Sequence, residues 1–388
     1  TEAHRSIRQY DTLPPLYFGL IYGWTRFFGV EMIAMRLLSI LISIPGLFLM
    51  YYLGGRLLGA RPALFSLALF AFSPMQIFHA QGIRNYSLLV LFGLLSAITL
   101  HGMIRRDTPR WWIANMLANT LVGWTNHAGL IILPVWGMIV LLWFHHRLKR
   151  ILLWGLGHVL LLAPLVGLVL MTFDNKAAAP DSYVPPLSVM VLAIMIVPFM
   201  RDISYLRLPT DFEVSAGWVD FGDIATKTIL TSLLLLLTLL LVVVVVYTFL
   251  LTLMDGWKRW RVSQNSSSFF RGGETLEHRL NGISLQSLYF LQVWFGASAL
   301  ALLPPAIMIT PSAITPRLSI IAAPALYLLV AAGLQMIKAT IYKRFFQVFI
   351  LACMVIIGVS ATFLPMRGNY IGLGKLIAAD YDNYPIAV

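Results

Sequence analysis

Long apolar runs alternate with short polar turns along the whole chain, and the runs decide the architecture. A helix that crosses a bilayer needs roughly 20 apolar residues to cover about 30 Å of hydrocarbon. Ten runs are candidates: 34–55, 63–80, 86–104, 111–126, 128–146, 150–172, 226–253, 285–306, 317–337 and 345–365. The fourth and fifth are short and nearly contiguous, so they read as two spans or as one tight helical hairpin. Residues 186–200 are apolar but short and open on prolines, which predicts an interfacial or re-entrant helix. The Leu-rich and then Val-rich stretch 233–246 reads as lipid-facing bulk. The prediction is an all-α, polytopic transmembrane bundle of about ten spans, with interfacial helices in the outer loops. No solenoid repeat is present.

Composition agrees: 59% of the 388 residues are hydrophobic and 11% are charged, with mean hydropathy +0.81. A net charge of +12 would suggest nucleic acid in a soluble domain. Here the cations sit in short turns between apolar runs, where membrane orientation accounts for them. The single cysteine, Cys353, lies within an apolar run and excludes an internal disulfide and a thiolate metal cluster.

With the amino terminus on the side away from the cytoplasm, alternate turns hold more than half of the 28 Lys and Arg, including Arg56, Arg61, Arg105, Arg106, Arg110, Arg147, Lys149 and Arg150. That is the positive-inside pattern, and Trp111, Trp112, Trp257 and Trp260 flank the same cations as interfacial anchors. Residues 255–284, with Ser266, Ser267, Ser268, Gly272 and Gly273, read as a mobile cytoplasmic linker. The other face gathers Asp11, Arg84, His127, Asp174, Asp181, Asp211, Glu213 and Arg317. A one-sided site at the outer membrane face is the simplest expectation.

Four positions stand out. Asp11 precedes Pro14 and Pro15 and the amphipathic stretch 16–28. It either orients a hydroxyl at the membrane surface or complements the helix that the prolines start. Arg84 follows Gln81 and precedes Asn85 and Tyr86; a fixed planar guanidinium there suits a phosphate. Arg317 opens an apolar span at the outer end, against the positive-inside trend, and so expects an anion or an acidic partner. His127, at an outer hairpin tip, is either a ligand contact or a hydrogen-bonded loop histidine.

These segments, in order, resemble a known family: Asp11-Thr12-Leu13-Pro14-Pro15-Leu16-Tyr17, Met35-Arg36-Leu37-Leu38-Ser39, Gly54-Gly55-Arg56-Leu57-Leu58-Gly59, Ser73-Pro74 with Gln81, Arg84 and Tyr86, and Thr315-Pro316-Arg317-Leu318. The pattern is similar to the C-type (GT-C) membrane glycosyltransferases, nearest the protein O-mannosyltransferase-like group and its bacterial relatives that decorate lipopolysaccharide. The resemblance implies an inverting transferase that moves a sugar from a polyprenyl-phosphate donor to a hydroxyl of a protein, lipid or envelope glycan at the outer membrane face.

It further implies Asp11 and Glu2 as catalytic acids, with Glu2 the remnant of an acid pair, and Arg84 and Arg317 as grips for the donor phosphate. Tyr17, Gln81, Tyr86 and His127 would contact acceptor or sugar. No metal site is expected from His or Cys spacing, although outer acids could hold a divalent cation. The expected membrane is the bacterial inner membrane, or the endoplasmic reticulum in a eukaryote. Leu13 stands where the family has a histidine, and Gly82 where it often has an acid. Those departures keep a second class in view, a non-catalytic polytopic protein such as a lipid-linked sugar transporter or a degenerate subunit. The expected organisation is a remnant outer loop with an interfacial helix (1–33), spans (34–172), an outer loop (173–225), further spans (226–365) and an outer carboxy-terminal segment (366–388).

Overall fold

The computed structural model describes residues 14–173, 224–263, 279–280, 282–308 and 320–363. The expected helix at 186–200 and most of the linker at 255–284 lie outside them. The described part is helical throughout, apart from a two-residue antiparallel pair, β1 (Arg279–Leu280) with β2 (Ile283–Ser284).

The first helix, α1 (Pro15–Phe28), starts on a proline, whose missing N–H costs nothing at a helix start. It ends on Gly29, whose φ of 80° only glycine adopts freely. Then come α2 (Met32–Leu58), α3 (Ala60–Ala71), α4 (Pro74–Gln81), α5 (Tyr86–Arg106) and α6 (Pro109–Thr125). A 3-10 turn (His127–Ile131) leads into α7 (Ile132–Phe144) and α8 (Leu148–Phe173). After residue 223 the chain forms α9 (Ile224–Ser263), α10 (Leu285–Met308), α11 (Ala323–Met336) and α12 (Thr340–Phe363).

Within the described residues every predicted apolar run is largely helical, but length divides them. Among the described residues, α2, α5 and Leu148–Gly167 of α8 are long and apolar enough to cross a membrane, and the pair α3 and α4 counts as a fourth if taken together. The run expected to be one span at 63–80 is broken, with α3 and α4 bent by 57°. The cause is Ser73-Pro74: the proline ring cannot continue the preceding helix, and the new helix starts on it in a new direction. The fourth and fifth runs are two helices, α6 and α7, separated by the 3-10 turn.

The core gathers on α11. Nearly every residue from Ala323 to Met336 is buried, so this helix is enclosed by others on all sides. It packs on α3, α9 and α10. Gly333 permits the α9 contact, since a Cβ there would lie 2.4 Å from Thr248 Oγ1 and 2.6 Å from Val244 Cγ1. The reading of 233–246 as lipid-facing bulk therefore needs correction. Leu237, Leu241, Val244 and Val245 are buried, while Leu236, Leu239, Val243 and Val246 are exposed, giving one face to the bundle and one to lipid.

Polar side chains buried in the helices bond to one another. Asn115 donates to Ser96 O at 3.0 Å, Trp154 Nε1 donates to Asn115 Oδ1 at 3.0 Å, and Asn119 Nδ2 donates to Asn115 Oδ1 at 3.1 Å. His158 Nδ1 lies 2.7 Å from Trp154 O, an acceptor, so Nδ1 carries the proton and Nε2 accepts from Asn119 at 3.1 Å. The network ties α5, α6 and α8 together where lipid offers no alternative partner. Gln292 makes a smaller link from α10 to Thr252 Oγ1 of α9 at 2.9 Å.

Candidate active site at one end of the bundle

Successive antiparallel helices bring the α4–α5 turn and the turn after α6 to the same end. Asn85 fastens them: its Nδ2 donates to Thr125 O at 2.6 Å, and its Oδ1 accepts from Asn126 Nδ2 at 3.3 Å. Arg84, exposed, and Tyr86, buried, flank Asn85, and His127, half-buried, follows Asn126. Three of the predicted site residues therefore share one turn pair. Gln81 closes α4 just before it and is also half-buried.

Below the turn, α4 is held against α5 and α11. The His79 and Tyr86 rings lie 4.4 Å apart, and Ser87 Oγ donates to His79 O at 3.1 Å. Tyr327 Oη donates to Ser73 Oγ at 2.6 Å, and the Tyr327 ring meets Phe70 edge to face at 6.1 Å. A cavity of about 110 Å³ sits inside the bend, bounded by Ser43, Gly46 and Leu47 of α2, Phe70 and Ala71 of α3, Gln76, Ile77 and Ala80 of α4, and Ser87 and Val90 of α5. Gln76 Nε2 lines it and is buried with no hydrogen-bond partner among the described residues.

Tyr17 occupies a different setting from the one expected of a surface contact. It is buried, with its hydroxyl 3.3 Å from Ser39 Oγ, and pegs α1 to α2. Burial pushes its phenol above the usual range, slightly opposed by the Ser39 bond, so it stays neutral near pH 7. Glu2, Asp11, Leu13 and Arg317 lie outside the described residues, as do Asp174, Asp181, Asp211 and Glu213. Among the described residues no group of three or more His, Cys, Asp or Glu converges as a metal site would require.

Sequence reasoning missed Gln76 and Tyr327 as parts of this end and read Asn85 only as a polar neighbour of Arg84. Gln76 and Asn85 lie in the polar segment already singled out, so a signal existed. Tyr327 is a lone hydroxyl in an apolar run and gives none.

The architecture defines a polytopic helical membrane protein with polar and cationic groups gathered at one helical turn pair. Residues 12–170 match the family model described as dolichyl-phosphate-mannose-protein mannosyltransferase. The matched range contains Tyr17, Gln81, Arg84, Tyr86 and His127. Two solved structures of ArnT from Cupriavidus metallidurans are similar. The one bound to undecaprenyl phosphate has 15% sequence identity and a TM-score of 0.45, covering 87% of this chain and 52% of that one. The apo form has 15% identity and a TM-score of 0.44 over the same shares. The chain thus spans about half the length of those proteins. No curated protein matches it.

Proposed function

We propose that the chain belongs to a glycosyltransferase that moves a sugar from a polyprenyl-phosphate-linked donor to an acceptor hydroxyl at the extracytoplasmic membrane face, with inversion. The observation that carries the proposal is the family match across residues 12–170, which spans the turn pair carrying Arg84 and His127. In this reading a carboxylate, Glu2 or Asp11, takes the acceptor hydroxyl's proton, and Asp11 serves to orient the acceptor rather than to deprotonate it. The acceptor oxygen attacks the anomeric carbon from the face opposite the phosphate. The carbon–oxygen bond to the phosphate breaks, and the electron pair stays on the departing polyprenyl phosphate. Arg84 and Arg317 stabilise the charge that develops there. Gln81, Tyr86 and His127 contact sugar or acceptor.

The test uses purified full-length protein in lipid vesicles with radiolabelled polyprenyl-phosphate sugars. Transfer to an acceptor, abolished when Glu2 and Asp11 are replaced by amides, supports the enzyme. If no donor gives transfer while one is moved across the vesicle membrane, the transporter reading signalled by Leu13 and Gly82 replaces it.

A further inference from the structure

The end of the bundle opposite Arg84 holds a polar feature that the proposed transfer does not use. α5 closes on Asp107, in the left-handed region at φ 40°, and Thr108 precedes α6. An open groove of about 690 Å³ lies here, lined by Arg106, Thr108, Pro109, Arg110, Trp111 and Ala114.

The acid of this turn is already engaged. The Asp107 carboxylate accepts from Arg150 and from Trp112 Nε1 at 2.9 Å, and Arg147 Nη2 stands 3.4 Å away. Arg106 and Arg110 are exposed and have no carboxylate partner among the described residues. The Thr108 hydroxyl makes no capping bond to α6. Trp111 forms a fixed wall: its ring lies on Gly102, where a Cβ would approach to 2.4 Å. Below Arg110, the same face of α6 turns apolar through Ile113, Ala114 and Leu117, with Ile113 and Leu117 about half exposed. A cationic head followed along one helix face by an apolar track matches a phosphate that carries acyl chains better than a soluble phosphate.

We propose that this groove binds the phosphodiester headgroup of an anionic phospholipid. Arg106 and Arg110 grip the phosphate, Thr108 reaches a headgroup oxygen, and the acyl chains lie along Ile113 and Leu117. The site rests on the chain spanning a membrane and not on the transferase reading.

The experiment is native mass spectrometry of the detergent-solubilised full-length protein, titrated with phosphatidylglycerol and, in parallel, with zwitterionic phosphatidylcholine. The wild type retains phosphatidylglycerol at least about tenfold more tightly, since each surface cation contributes about a factor of five. Arg106→Gln with Arg110→Gln removes that preference, whereas Arg105→Gln, on α5 but outside the groove, leaves it. Excess glycerol phosphate does not displace the lipid. Equal retention by the double variant, equal loss with Arg105→Gln, or displacement by glycerol phosphate would each overturn the site. Arg106→Lys with Arg110→Lys guards against misfolding, because it keeps the charge. A several-fold drop supports a forked grip, and no drop in it overturns that grip.

Discussion

Under the proposed function, Arg84 is the residue on which the transfer chemistry turns. It sits beside Asn85, whose amide is bonded on both sides to the turn after α6, so the backbone that presents the guanidinium is fixed. Arg84→Ala should lower transfer from a polyprenyl-phosphate sugar by about a hundredfold or more, the usual loss when a donor to developing charge is removed. Arg84→Lys should fall between, because it keeps charge but loses the planar fork. Single-turnover transfer assays read both, and wild-type rates in Arg84→Ala would remove Arg84 from the site. Tyr327 acts at the same scale on stability. Tyr327→Phe removes the hydrogen bond from Tyr327 to the buried Ser73 Oγ and should cost about 1 kcal/mol. Thermal unfolding in detergent should then show Tyr327→Phe with Ser73→Ala costing less than the two single losses added together.

Among elements, the bend between α3 and α4 and the packing of α11 matter most. Ser73-Pro74 entered the sequence reading only as part of the family pattern, and the run 63–80 around it is apolar enough to read as one span. Hydropathy integrates over the break and does not see direction, so the 57° turn emerged only in three dimensions. The enclosure of α11 was likewise hidden. A run that is apolar on all sides suits lipid and a protein core equally, and only the packing of α3, α9 and α10 around Ala323–Met336 decides between them. Gly333→Ala tests that enclosure. Its Cβ meets Thr248, Val244 and the Val244 carbonyl at 3.0 Å, so the helices must part, at about 1–3 kcal/mol. Gly137→Ala, with nothing within 4 Å of the new Cβ, should be neutral to slightly stabilising in the same unfolding assay. Equal melting of the two variants would contradict the packing.

For the whole molecule the governing feature is polarity from end to end. Arg84, Asn85, Asn126 and His127 gather at one end, while Asp107, Arg147, Arg150 and the arginine groove occupy the other. With Cys353→Ser removing the buried native thiol, Arg84→Cys should react with an impermeant maleimide from the extracytoplasmic side of oriented vesicles. Lys149→Cys should react only from the cytoplasmic side. Labelling of both from one side would refute the topology. The sequence by itself determined the all-α membrane class, the helices at the apolar runs, and the separation of cationic turns from the turn carrying Arg84. Those depend on composition, periodicity and proline placement, which are local properties. Only the tertiary structure decided that Tyr17 is a buried peg, that Gln76 faces a cavity inside a broken span, that Tyr327 holds Ser73, and that α11 is enclosed. Each of these depends on which helices become neighbours, and an apolar residue packs equally well against lipid or protein, so its identity does not specify the neighbour.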